Sequence, residues 1–104
     1  MSLQAKILTL LSGITDPAVR VDVASTVNYL FNIYCGGHAN EGEVRMALRD
    51  VCLEVIPATH PELSEEEVRE RVEVLVEEFI RAFRLESASR RMLTRFRGRA
   101  VPPM

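Results

Sequence analysis

Two cysteines and two histidines are the residues most suited to bind a metal ion or attack a substrate, and they are Cys35, His38, Cys52 and His60. The sequence predicts a helix beginning near Glu41, which places Cys52 about 16 Å along that helix at about 1.5 Å per residue. Zinc holds its ligands within about 2.0–2.3 Å, so these four side chains cannot share one ion. The same separation argues against a disulfide between the two cysteines, whose Cα atoms would have to lie within about 7 Å. We therefore expect no metal and two reduced cysteines, with Cys52 in the core.

Nucleophilic catalysis has one candidate pair, Cys35 with His38 as its base. The pair lacks a recognisable third group to orient the histidine and a glycine-rich loop to bind an oxyanion. The spacing of His38 within Gly36-Gly37-His38 is typical of a turn, and His60 before Pro61 is expected in a solvent-facing loop. The chain also lacks a phosphate-binding glycine loop, a paired-aspartate metal motif and a serine-centred elbow. We expect a protein that is not an enzyme and binds no cofactor.

Charge divides the last third of the chain into two halves. Residues 62–78 contain eight glutamates and two arginines, whereas residues 84–99 contain six arginines and one glutamate. The first 83 residues carry a net charge of −7 and the last 21 carry +5, although the whole chain carries only −2. An arginine-rich segment of this kind is typical of contacts with nucleic-acid backbones, anionic membrane surfaces or acidic proteins.

The glutamates invite a comparison with the carboxylate metal sites of helical bundles. Such sites need inward-pointing side chains, usually with a Glu-x-x-His pair, and the helix predicted here has no histidine. Acidic residues near the start of a helix and basic residues near its end also interact favourably with the helix dipole. The dipole and a solvated helix face account for part of the pattern, and they leave the arginine-rich half unexplained.

Apolar residues recur at helical spacing throughout, which predicts an all-α fold with four to five helices. Ser2 and Asp16-Pro17 are start signals for the first two helices, and Gly13 is expected to end the first in a left-handed conformation. Capping boxes are predicted at Asn40 with Glu43 and at Ser64 with Glu67, and they open the third and fourth helices. The broad apolar surface of the second helix indicates that it is the most buried, and Pro57 is expected to end the third.

The apolar stripe of the fourth helix changes phase near Glu86, so we expect this helix to kink or break within residues 85–89. A continuous helix over residues 65–97 would be about 50 Å long, whereas a compact chain of about 100 residues has a radius of gyration near 13 Å. Such a helix would leave apolar residues beyond the bundle without a neighbour. Either the chain folds back after Glu86, or a second subunit covers the exposed part.

These observations favour a single helical domain over residues 1–97, a flexible tail over residues 98–104 and a cytoplasmic location without a membrane span. The leading hypothesis is a homodimeric interaction or adaptor module that pairs through its C-terminal helix. Its partner-facing residues would be Phe79, Phe83, Met92, Leu93 and Phe96. The alternative is a nucleic-acid-binding protein, or one that binds an acidic partner, through Arg84, Arg90, Arg91, Arg95, Arg97 and Arg99.

Overall fold

Four helices form the chain: α1 (Leu3–Leu11), α2 (Pro17–Cys35), α3 (Glu41–Thr59) and α4 (Glu65–Ala100). The structure, a computed structural model, describes the backbone of residues 2–100 and the side chains of residues 2–90. Every regular element in that part of the chain is an α-helix, which confirms the all-α prediction.

All four helix starts lie where the sequence predicts them, because each is set by local side-chain chemistry. The Asn40 side chain accepts a hydrogen bond from the Glu43 amide at 2.8 Å, and the Glu43 carboxylate accepts one from the Asn40 amide at 3.0 Å. Ser64 and Glu67 make the same reciprocal pair at the start of α4. Two free amides are thus satisfied at each start.

Two predicted helix ends are wrong. Gly13 is not left-handed; among the described residues Gly37 is the glycine with positive φ, at 74°. Gly13 is needed for a close approach instead, because a Cβ there would lie 2.9 Å from the Cβ of Thr59. Helix α3 continues through Pro57 to Thr59, since proline removes one backbone hydrogen bond while the amide of His60 still bonds to the Ile56 carbonyl at 2.9 Å.

Helix α4 does not break or fold back at residues 85–89; it is one continuous helix of 36 residues. Neither glycine nor proline occurs between Ser64 and Arg97, so nothing in that stretch interrupts the backbone hydrogen bonds. The change of phase near Glu86 marks a change in which side of the helix is apolar. The backbone of residues 98–100 is helical, whereas the sequence predicted a tail from residue 98; residues 101–104 lie outside the described part.

Helix α4 packs against each of the other three helices, most extensively against α3. It supplies more of the core than α2, which contributes three buried side chains: Val27, Leu30 and Phe31. The prediction that α2 is the most buried helix is therefore wrong. At the centre, the Phe83 ring centroid lies 5.2 Å from that of Phe31 and 5.8 Å from that of Tyr34. Aromatic pairs at these distances are mutually favourable.

The molecule is elongated, with principal extents of 63 × 28 × 23 Å and a radius of gyration of 16.2 Å. A compact chain of this length would have a radius of about 13 Å. Helix α4 accounts for the difference, because 36 residues span about 54 Å. Its last buried side chain in the described part is Ser87, which is 3% exposed. Arg90 still contacts Phe31 of α2, and the helical backbone continues from there to Ala100.

Candidate interaction surface

A row of ion pairs joins α4 to α3. The Arg49 guanidinium donates to both carboxylate oxygens of Glu73, at 2.8 and 3.2 Å. One turn along, Arg45 pairs with Glu77, and Arg84 then donates to both carboxylate oxygens of Glu41 at 2.6 and 2.8 Å. The sign of the charge on α4 changes between Glu77 and Arg84, and the sign on α3 changes at the matching place. The charge split of α4 is thus complemented within the chain.

Helix α1 extends this pattern on the other side of α4, where Lys6 pairs with Glu78. Glu73, Glu77 and Glu78, three of the acids in the region of residues 62–78, are therefore already neutralised by neighbouring helices. Glu66 and Glu70 are exposed and have no ion pair among residues 2–90. Together with Glu65, which is also exposed and without an ion pair in that part of the chain, these glutamates are the acids of α4 that this surface offers to another molecule.

The Arg49–Glu73 pair allows a direct test of the row. Reversing either charge alone, by Arg49→Glu or Glu73→Arg, is expected to lower the urea midpoint of unfolding, and the double reversal is expected to restore most of the loss. The coupling should shrink in high salt because the pair is exposed. Equal midpoints for the single and double variants would show that the pair does not contribute to stability.

Acid should remove the contribution of the Arg49–Glu73 pair to stability, because protonation of Glu73 abolishes its charge. Hydrogen bonds from Arg49 hold the pKa of Glu73 below its ordinary value. For a lowered carboxyl pKa, stability is present above the unfolded-state value of about 4.3 and is lost as the pH falls through the lower folded-state value. The coupling between the two residues should therefore weaken as the pH falls below about 4.3, and it should be lost once the pH is below the lowered folded-state pKa of Glu73.

The arginine-rich segment is partly engaged with the chain itself. Arg84 is paired with Glu41, and the Arg90 guanidinium carbon lies 4.8 Å from the centroid of the Phe31 ring, a cation–π contact. The side chains of Arg91, Arg95, Arg97 and Arg99 lie outside the described residues. Two of the six arginines assigned to nucleic acid or an acidic partner thus already have intramolecular roles.

Two of the five residues assigned to a partner interface are located in the core. Phe79 and Phe83 have no exposed surface, because α1, α2 and α3 cover that side of α4. A second copy could not reach these rings while the bundle is folded. The side chains of Met92, Leu93 and Phe96 lie outside the described part of the chain.

Sequence reasoning missed a second apolar surface on α4. Val74 is 58% exposed and Leu85 is 64% exposed, and helical spacing places both opposite the buried stripe of α4. They are eleven residues apart, which is about three helical turns, so they lie nearly in line. Hydrophobic spacing could have revealed this surface, because Val74 and Leu85 are apolar residues on the side of α4 opposite its buried stripe. We call this side, with Val74, Arg81 and Leu85, the outer face.

The cysteines and histidines do not come together as one site. Among the described residues, no group of three or more His, Cys, Asp or Glu side chains is arranged to hold a metal ion. Cys35 is half-buried and Cys52 is fully buried, and both are free thiols. Burial raises the pKa of Cys52 to about 11. A thiol with that pKa is almost entirely protonated near neutral pH and is a poor nucleophile.

A cavity of about 520 Å³ lies between the end of α1, the end of α3 and the first third of α4. Its lining includes Leu10, Ile56, His60 and Arg71. The sequence placed His60 in a solvent-facing loop, whereas the structure has it half-buried in the cavity wall. The cavity depends on how α1 meets α3, so no local sequence signal could have indicated it.

Within residues 2–100, no helix is both long enough and apolar enough to cross a membrane. No protein-family model, curated protein or solved structure matches this chain.

Proposed function

We propose that this chain is a non-enzymatic helical interaction module that pairs with a second copy of itself along the outer face of α4. One observation carries the proposal: Val74 and Leu85 expose most of their apolar surface, in line, on the longest helix of the described chain. In a helix, positions seven and eleven residues beyond Leu85 return to its side, and the sequence has Met92 and Phe96 there. An apolar row of this length on a helix is typical of a helix–helix interface.

The charges along the outer face favour a second copy of this chain as the partner that packs on it. The outer face carries the unpaired Glu66 and Glu70 toward its start, and the sequence has Arg95 and Arg99 at matching helical positions toward its end. Two antiparallel copies related by a two-fold axis near residue 83 would bring these acids next to those arginines. The same arrangement brings Val74 next to Met92, because each lies nine residues from the axis. A parallel pair would place like charges side by side.

Association of the chain tests the proposal. Leu85 lies two residues from the proposed axis, so Leu85→Glu would place two buried carboxylates close together and is expected to weaken dimerisation at least tenfold. Met46→Glu is the matched control, since Met46 is 66% exposed on α3 and lies away from the outer face. Sedimentation equilibrium at low and high salt measures both variants and the unmodified chain. A monomer at micromolar concentration in both salts would reject the dimer.

A charge-reversal pair tests the antiparallel arrangement separately. Glu70→Arg alone should weaken the dimer, and adding Arg95→Glu to the same chain should restore it, because the two positions meet between copies. Glu54→Arg is the control for a lost surface carboxylate, because Glu54 is exposed on α3 and has no ion pair among residues 2–90. Failure of the second reversal to rescue the first, with the dimer itself intact, would overturn the antiparallel register.

Binding of nucleic acid by the arginine-rich segment is the competing function. The acidic body and the engagement of Arg84 and Arg90 within the chain both weigh against it. We expect no gel shift of a short duplex at about 50 mM salt. Binding that falls steeply with salt and is lost on removal of residues 91–104, while the chain stays monomeric, would favour the nucleic-acid function instead.

A further inference from the structure

The cavity between α1, α3 and α4 has the shape and lining of a small-molecule site. From its lining, we infer that it binds a small zwitterion with an apolar side chain, the class to which phenylalanine and leucine belong. Its volume of about 520 Å³ is within the range of about 300–1,000 Å³ usual for ligand pockets. The cavity lies within one copy but shares Glu70 and Val74 with the outer face, so ligand binding is tested by its own variants, Arg71→Gln and Arg69→Gln, which do not touch the dimer contacts.

The floor of the cavity is apolar. Leu10 and Ile56 are buried at its base, Leu75 is half-buried and Val74 is exposed at its edge. Gly13 and Thr59 also line the cavity, and they approach each other so closely that a side-chain atom at Gly13 would have no room. An apolar side chain entering from the open side would exchange water for these surfaces, which favours binding.

Two opposite charges stand beside that floor. Glu70 and Arg71 are consecutive on α4 and both line the cavity. Neither forms an ion pair or hydrogen bond among residues 2–90, although Arg71 interacts electrostatically with Glu67 one turn earlier. Glu70 would repel a simple carboxylate, and Arg71 would repel a simple amine. A molecule with both an ammonium and a carboxylate complements the two together.

His60 adds an acceptor at the same place. The Thr59 hydroxyl lies 2.9 Å from the Val55 carbonyl oxygen and 2.9 Å from His60 Nδ1. In the tautomer that carries hydrogen on Nδ1, the ring donates to the Thr59 hydroxyl while the hydroxyl donates to the Val55 carbonyl oxygen. His60 Nε2 is then a hydrogen-bond acceptor on the cavity wall, suited to an ammonium group.

Titration of the full chain with L-phenylalanine and with L-leucine, followed by amide chemical shifts, tests this site. At least one of the two should give saturable shifts at Thr9, Gly13, His60 and Leu75. Arg71→Gln should weaken binding about tenfold or more, the usual scale for a lost charge-assisted hydrogen bond, and Glu70→Gln should do the same. Arg69→Gln is the matched control, because Arg69 is exposed on the same helix and does not line the cavity.

Modified ligands assign each charge. Phenylalanine amide, which lacks the carboxylate, should bind weakly to the unmodified chain and lose nothing further in Arg71→Gln. N-acetylphenylalanine, which lacks the ammonium group, should bind weakly to the unmodified chain and lose no further affinity in Glu70→Gln. The inference is overturned if neither amino acid gives saturable shifts at roughly 10 mM, a concentration that detects millimolar affinity. It is equally overturned if Arg69→Gln weakens binding as much as Arg71→Gln.

Discussion

Replacing Phe83 with alanine is expected to lower the free energy of unfolding by about 3–5 kcal/mol, the usual cost of removing a buried aromatic ring. The ring is fully buried where α4 crosses α2, in contact with the rings of Phe31 and Tyr34. The loss would include both the transfer of apolar surface to water and the cavity left behind. Because small domains are stable by only about 5–15 kcal/mol, this change alone would remove a large part of the stability.

Urea unfolding followed by far-ultraviolet circular dichroism measures this loss, and Leu85→Ala provides the control. Leu85 is two residues away on the same helix but 64% exposed, so its truncation should change stability little within one copy. Each variant should be unfolded at two protein concentrations, since a dimer's apparent stability rises with concentration. A Phe83→Ala chain that keeps its stability while losing self-association would place the ring in an interface and contradict the core position.

The local features of the fold could be predicted because their causes are local. Ser64 and Glu67 satisfy each other's amides whatever the rest of the chain does, so a four-residue pattern is enough to locate the start of α4. The same is true of Asn40 with Glu43. Helix ends were less predictable. Gly13 is needed for the close contact with Thr59 of α3, and Pro57 is tolerated because it lies in the last turn of its helix.

The meaning of the charge split could not be predicted, since it depends on which helix lies beside α4. The sequence alone suggested that the acids of one copy face the arginines of another. The structure instead pairs Glu73 with Arg49 and Arg84 with Glu41 inside one chain. An antiparallel α3–α4 pair brings together residues 24 and 43 positions apart, and no short-range pattern reports such a distance.

This row of pairs also disfavours the wrong register of α3 on α4. Sliding α3 by two turns would bring Glu41 next to the acids of α4, or Arg49 next to its arginines, and like charges in contact are unfavourable. Each pair is exposed, so the row contributes more to specificity than to stability. The buried stripe of Val72, Val76 and Phe79 contributes more to the free energy of folding than these pairs, because it is fully removed from water.

The second large effect is expected at Cys52, which should react with a thiol reagent at pH 8 at least about 10³-fold more slowly than Cys35. Cys52 is fully buried in α3, so reaction requires the bundle to open, and global opening is rare in a stable domain. Burial also raises the pKa of the Cys52 thiol to about 11, which keeps the reactive thiolate scarce while the chain is folded. The single-cysteine variants Cys35→Ser and Cys52→Ser allow each rate to be measured alone with a disulfide reagent.

The pH dependence has a definite sign. A thiol pKa that is higher in the folded chain than in the unfolded chain contributes stability below the unfolded value of about 8.5, and that contribution is lost as the pH rises toward 11. The loss amounts to about 3 kcal/mol by the upper end of this window. Cys52 labelling should therefore accelerate above pH 9 more steeply than its thiolate fraction alone requires.

Measuring Cys52 labelling in the Phe83→Ala chain tests both predictions together, because both depend on the same packed core. If Cys52 is reached by global unfolding, Phe83→Ala should speed its labelling at least about a hundredfold, in proportion to the lost stability, and leave the Cys35 rate nearly unchanged. Leu85→Ala should alter neither rate at a protein concentration low enough for the chain to be monomeric. Comparable rates for the two cysteines in the unmodified chain would mean that α3 is not packed against α4, and the ion-pair row would then be wrong as well.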